Sequence, residues 1–141
     1  MTKVVSIEFE VGDEPLGCNP CSEIILRDKQ FCNLTEVVIK AEDTFDSLKR
    51  KVELATILGT IQATLTNFNF LSEEWKKNTE EERLLGVSLT GIMDNTLLNG
   101  KLPYVDLEVN LQELRDHARE VNEEWAKKLG IQPSAAITCV N

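Results

Sequence analysis

Histidine occurs once in the 141 residues, at His117, and tyrosine also once. A single imidazole leaves little room for histidine-based acid–base catalysis or for a Cys/His zinc site. No apolar run approaches the roughly 20 residues of a membrane-spanning helix. The first residues, Met1 to Val11, alternate with acidic side chains and lack the apolar block of a secretory leader. These absences predict a cytoplasmic chain without a membrane partner. Basic residues are the minority, 15 against 24 acidic, for a formal charge of −9. Phosphate neutralisation needs clustered Lys and Arg, so no nucleic-acid partner is expected either. There are only four cysteines, and three of them, Cys18, Cys21 and Cys32, lie close together, with Cys139 far away. So few, so unevenly placed, point to redox, catalytic or metal chemistry more than to a disulfide scaffold. Internal repeats, low-complexity stretches and linkers are absent, so residues 1–141 are expected to form a single unit.

Val5, Ile7, Phe9 and Val11 alternate with polar residues and predict a strand, broken by a turn at Gly12-Asp13-Glu14-Pro15. Gly17 and Pro20 disfavour helix, so the first cysteines are placed on a loop running into an extended segment, Ser22–Leu26. Phe31–Ile39 reads as a buried strand. Thr44 or Asp46 caps a long helix from about Phe45 to Thr66, with Leu48, Val52, Ala55, Leu58, Ile61 and Leu65 on its core face. Its second half is apolar nearly all round, so other elements are expected to cover it. Thr79-x-x-Glu82 has capping-box spacing, with Glu80-Glu81-Glu82 read as a solvated helix start. Leu84–Met93 suits a buried strand, and Asn110 is read as the cap of a further helix. That helix carries Leu111, Leu114, Ala118, Val121, Trp125 and Leu129 on one face, with His117 solvated and Gly130 as the C-terminal cap. Ala135–Val140 is a final strand. Strands alternating with helices predict an α/β fold of parallel βαβ units. Three parallel strands are too thin to stand alone, so the chain looks like part of a larger sheet or barrel.

Read from the residues alone, the cysteines leave several chemistries open. Cys18-x-x-Cys21 with Cys32 and Cys139 could be a Cys₄ zinc site, but zinc sites use two closely spaced pairs. A thioredoxin-like C-x-x-C needs a helix at its second cysteine, and Ser22–Leu26 looks extended. Plain burial is the commonest fate of a free cysteine, and it is the expectation for Cys139 and, unless merely incidental, for Cys18.

The segment Asn19-Pro20-Cys21-Ser22-Glu23-Ile24, followed by Phe31-Cys32-Asn33-Leu34-Thr35-Glu36-Val37, resembles the active-site region of ribonucleotide reductase large subunits. The similarity continues through Arg83–Gly91 and Ala136–Val140. Pro20 before the central cysteine, and Cys32 as the next one, resemble the adenosylcobalamin-dependent (class II) type. Class I enzymes typically carry Leu at the first position and place the partner cysteine further on, where this chain has Thr44. The resemblance implies part of a ten-stranded α/β barrel, the finger loop plus βαβαβ units of the second half-barrel. It implies Cys21 as the thiyl radical, Glu23 as the acceptor of the ribose 3′-hydroxyl proton, and Asn19 with Ser22 as substrate contacts. Cys32 would be one of two redox-active cysteines that close into a disulfide.

The chemistry suits these residue types. A carbon-bound ribose hydrogen is too weakly acidic for ordinary base catalysis, so radical chemistry with a cofactor must start the reaction. A carboxylate two residues from a thiol in an extended segment projects to the same side. The implied partners are a ribonucleoside di- or triphosphate, complementary reductase chains, and a thioredoxin- or glutaredoxin-like reductant. The implied cofactor, adenosylcobalamin, would be held mainly by parts outside this chain. The family continues Lys-Pro-Ser-Gly-Thr where this chain has Asn141 as its last residue, and its other redox cysteine lies in the first half-barrel. The expectation is therefore a fragment or split piece of the reductase, inactive alone. The alternative is a non-catalytic binding or assembly module that keeps the motif.

Overall fold

A computed structural model describes residues 16–103 and 106–138. The predicted strand at Val5–Val11, the turn after it, and Cys139 fall outside them. The chain begins with a two-stranded antiparallel hairpin, β1 (Gly17–Cys18) and β2 (Ile25–Leu26). Then come β3 (Asn33–Val38), α1 (Phe45–Gln62), α2 (Glu73–Glu82), β4 (Leu85–Thr90), a 3₁₀ turn (Ile92–Asp94), α3 (Leu107–Leu129) and β5 (Ile137–Thr138). β3, β4 and β5 form a parallel sheet in that order, with Asn33 opposite Leu85 and Leu85 opposite Ile137. The α/β class and parallel pairing are as expected. Among the described residues the sheet is an open arc. Among the described residues no helix is long and apolar enough to cross a membrane.

Thr44 caps α1, its hydroxyl accepting from the Ser47 amide at 3.2 Å. The core lies between one face of the sheet and the helices. Val37, Ile39, Leu85, Val87 and Leu89 meet Leu48, Val52 and Ala55 of α1 and Leu114 and Ala118 of α3. α1 approaches closely because residue 59 has no side chain. A Cβ there would stand 2.2 Å from Leu85 Cδ1, and Leu85 is itself buried.

That approach changes the buried face of α1. Past Ala55 the buried positions are Thr56, Gly59 and Thr60, whereas Leu58, Ile61 and Leu65 point outward, Leu65 being 71% exposed. The two buried hydroxyls satisfy themselves by donating to carbonyls one turn back, Val52 at 2.8 Å and Thr56 at 2.7 Å. β3, expected to be buried, has only one face under α1: Asn33 and Val37 point inward, Leu34 and Val38 away from it.

Other expectations are corrected. Asp106, not Asn110, caps α3, and the Asn110 amide donates to Leu97 O instead. Leu111 and Leu129 are exposed rather than core, while Asn122 is buried and receives no apolar neighbour's role: it donates to Thr60 Oγ1 at 2.9 Å and accepts from Ser134 N at 2.8 Å. His117 is half-buried, not solvated. Ser72 precedes a full helix, α2, and Thr79 and Glu80–Glu82 are its last turn, not its start. Three carboxylates at a helix C-terminus oppose the dipole. Arg27 answers two of them, Glu81 at 3.0 Å and Glu82 at 3.3 Å.

At the far end of the sheet, Asn95 is fully buried. Its amide donates to Lys40 O and Asp43 O, tying the β3–α1 loop to the segment after β4. Gly91 precedes it with φ +81°, and a Cβ there would lie 2.4 Å from the Ile39 carbonyl oxygen. Backbone cannot yield as a flexible side chain can. Gly91→Ala is expected to destabilise the fold by about 2 kcal/mol or more, from left-handed strain plus overpacking, read as a lowered urea midpoint.

Asp43 accepts from Lys51 Nζ at 2.5 Å, Lys40 N at 2.8 Å and Ser47 Oγ at 2.7 Å. These bonds, led by Lys51, hold its carboxyl down to about 2 from an ordinary 3.8. The folded value is depressed, so this stabilisation is present above pH 3.8 and is lost as pH falls toward 2. Asp43→Asn should flatten the acid side of the stability curve in that window, measured by urea midpoints across pH.

Candidate active site

The Cys21 loop is closed by one buried amide. Asn19 is 5% exposed, and its Oδ1 accepts from Glu23 N at 3.2 Å and Ile24 N at 3.1 Å. Its Nδ2 donates to Glu23 Oε1. Asn19 N donates to Ile24 O and Ser22 N to Asn19 O, so Pro20, Cys21 and Ser22 are confined to a tight turn. Ser22 adopts φ +62°, the left-handed region. Asn tolerates such a role because its short side chain reaches its own backbone a few residues on.

The loop is therefore a turn at Cys21, not an extended segment. The expectation that simple alternation aligns Cys21 with Glu23 does not hold. What joins the residues is the Asn19–Glu23 hydrogen bond across the base of the turn. Cys21 and Ser22 stand on its exposed tip. Cys18 is exposed, not buried, with its Sγ 3.7 Å from Ser22 Oγ.

Beneath the loop, Ile24 is buried against the sheet. A Cβ at Gly86 would meet Leu34 Cδ2 at 2.6 Å, Ile24 Cδ1 at 3.7 Å and Thr138 Oγ1 at 3.8 Å. Side chains alternate along a strand, so this is the face opposite Leu85 and α1. The hairpin thus sits on the side of the sheet that the helices leave free.

Cys32 immediately precedes β3 and is half-buried. Burial pushes its thiol up from the ordinary value, and the nearby Glu23 charge pushes it the same way. Glu23 Oε2 is buried without a hydrogen-bond partner among the described residues. Asn19, Glu23 and Cys32 are thereby gathered at the base of the loop. Cys18, Cys21 and Cys32 are free thiols. No group of three or more His, Cys, Asp or Glu is placed to hold a metal among the described residues, which do not include Cys139.

One residue beside the site was not singled out from sequence. Gln30, read only as part of a polar connection, is 5% exposed and bonded on both sides. A lone Gln among charged residues carries no periodic signal.

The family model for the ribonucleotide reductase barrel domain matches residues 15–128. A curated relative, the adenosylcobalamin-dependent ribonucleoside-triphosphate reductase of Lactobacillus acidophilus (strain ATCC 700396 / NCK56 / N2 / NCFM), is 35% identical over 85 residues. The match covers 60% of this chain and 11% of that relative, so the chain spans a small part of its length. No solved structure matches. The family match takes in the Cys21 hairpin, Cys32, β3, β4, α1, α2 and nearly all of α3, and the chain belongs to the ribonucleotide reductase barrel-domain family.

Proposed function

We propose that this chain carries the radical-cysteine loop and an arc of the barrel of an adenosylcobalamin-dependent ribonucleotide reductase, acting on a ribonucleoside triphosphate. The observation that carries this reading is the Asn19–Glu23 pair at the base of a turn whose tip exposes Cys21, with Cys32 in reach of the Glu23 charge. The ten-stranded barrel is completed by parts beyond the described arc, and the hairpin on the helix-free face is what a loop inside such a barrel requires.

An exposed thiol at a turn tip fits a site that a radical-generating cofactor must reach. When bound, adenosylcobalamin supplies the radical that leaves Cys21 as a thiyl. The Cys21 sulfur then takes the 3′ hydrogen atom of the ribose, forming S–H and leaving a carbon radical. Glu23 accepts the 3′-hydroxyl proton, within hydrogen-bond reach of a sugar held over the turn. Asn19 and Ser22 contact the sugar. Asn19 also keeps Glu23 in place, since most of its own bonding capacity is engaged by the loop. The 2′-hydroxyl leaves as water. The two electrons come from Cys32 and a second cysteine outside the described residues, whose thiols give up two hydrogens, one into that water and one to C2′, and join as a disulfide, while Glu23 returns its proton to the 3′ oxygen. Cys21 returns its hydrogen to C3′ and is again a thiyl. A thioredoxin- or glutaredoxin-like dithiol restores the pair. A Cys32 thiol held up by burial and by Glu23 is a neutral hydrogen donor near pH 7 rather than a free nucleophile.

Cys21→Ala in the enzyme assembled with complementary chains should reduce deoxynucleotide formation to background, measured by chromatography; wild-type rates would overturn the assignment. Cys32→Ser should abolish deoxynucleotide formation both in repeated turnover with a thioredoxin system and in a single round with prereduced enzyme, because one thiol of the reducing pair is gone. Unchanged steady-state turnover in that variant would remove Cys32 from the reductant pair.

A further inference from the structure

Between the Cys21 hairpin and β3 the chain makes a second tight turn, Arg27–Gln30. Gln30 Oε1 accepts from Arg27 N at 2.9 Å and closes it. Lys29 inside it has φ +51°, a conformation that a non-glycine residue holds only when its surroundings impose it. Those surroundings are α2. Gln30 Nε2 donates to Asn78 O at 3.0 Å and Glu82 Oε2 at 2.7 Å. Asn78 Nδ2 donates back to Asp28 O at 2.9 Å. Arg27 pairs with Glu81 and Glu82, and Lys29 with Glu74. Phe31 N donates to Thr79 Oγ1 at 3.2 Å, and its ring stacks on Trp75 at 4.7 Å between centroids. On the other side of Cys32, Asn33 N donates to Leu84 O at 2.8 Å. Cys32 therefore stands between pinned neighbours, and its own side chain makes no part of the anchorage.

We propose that Gln30 is a positioning residue for Cys32: by locking the Arg27–Gln30 turn onto α2, it sets where the Cys32 thiol stands beside Glu23. α2 is then a docking rail for the segment that joins the two cysteines, which explains why a helix with almost no apolar face is retained against the body of the fold. The inference deepens the reading of Cys32 as a redox thiol and rests on it for its purpose, but its geometry is tested without turnover.

The test is the pH profile of alkylation by N-ethylmaleimide at each cysteine of the full chain, resolved by peptide mass spectrometry, with Cys18 and Cys21 as internal references. Thiol reactivity follows the thiolate fraction. The charged groups around the segment are Glu23 beside the thiol, and Arg27, Asp28, Lys29, Glu74, Glu81 and Glu82 along the dock. In Gln30→Ala the turn should loosen, Cys32 should leave its partly buried place, and its profile should move toward lower pH. A one-unit move corresponds to about a tenfold faster reaction at neutral pH, with Cys18 and Cys21 unchanged and the urea midpoint still that of a folded chain. If Gln30→Ala does not fold, Thr79→Val serves instead: it removes only the acceptor for Phe31 N and should move Cys32 the same way by less. A Cys32 profile unmoved in the folded variant, or a shift shared by Cys18, Cys21 and Cys32, overturns the proposal. Failure of the redox reading would show separately, as steady-state turnover unaffected by Cys32→Ser.

Discussion

Parallel strands cannot be joined by a tight turn, and from this constraint the rest of the arrangement follows. The chain must travel the length of the sheet between β3 and β4, and again between β4 and β5. The long return paths become α1 with α2, and then α3. α1 and α3 pack on each other and on the same face of the sheet, where the apolar side chains of β3 and β4 point. Among the described residues, neither α1 nor α3 covers the opposite face. Only there is room for the hairpin, and only there can a loop project over the strands without displacing the core.

Polar side chains rather than apolar ones then set the fine geometry. Asn19 closes the Cys21 turn, Gln30 closes the turn before Cys32, and Asn95 ties the two loops at the far end of the sheet. Asn122 joins α1 to the segment leading into β5. Each is buried, and each has its amide engaged on both donor and acceptor sides. A buried amide left unpaired would cost about 1–3 kcal/mol, so these groups tolerate few alternative arrangements of their loops. Apolar contacts, being non-directional, could not have given the same definition to a turn.

Much of this was legible in the amino-acid sequence, for identifiable reasons. The parallel strands and both long helices announced themselves through periodicity, and the Asn19-Pro20-Cys21-Ser22-Glu23 run pointed to the candidate site through its resemblance to the reductase family. What could not be read depended on tertiary contact. The face that α1 buries is decided by Gly59 against Leu85, so the larger residues Leu58, Ile61 and Leu65 lost to two threonines and a glycine. α2 carries no periodic signal because Glu73–Glu82 holds Trp75 as its one large apolar residue, and its docking is polar. Thr79 and Glu82 have the spacing of a helix start yet lie at a helix end, since one local motif is compatible with both. The Asn19–Glu23 contact was missed because alternation along a strand was assumed where the chain turns.

The outward leucines have a further consequence for how copies of this chain behave toward one another. Leu58, Leu65 and Phe70 are 63%, 71% and 99% exposed, which draws apolar surfaces together. The formal charge of −9 pushes copies apart. The repulsion acts across a gap of solvent and is screened to about 8 Å at physiological ionic strength, whereas apolar attraction is not weakened by salt. Added salt therefore weakens the repulsion between copies and leaves the pull of these exposed apolar side chains intact.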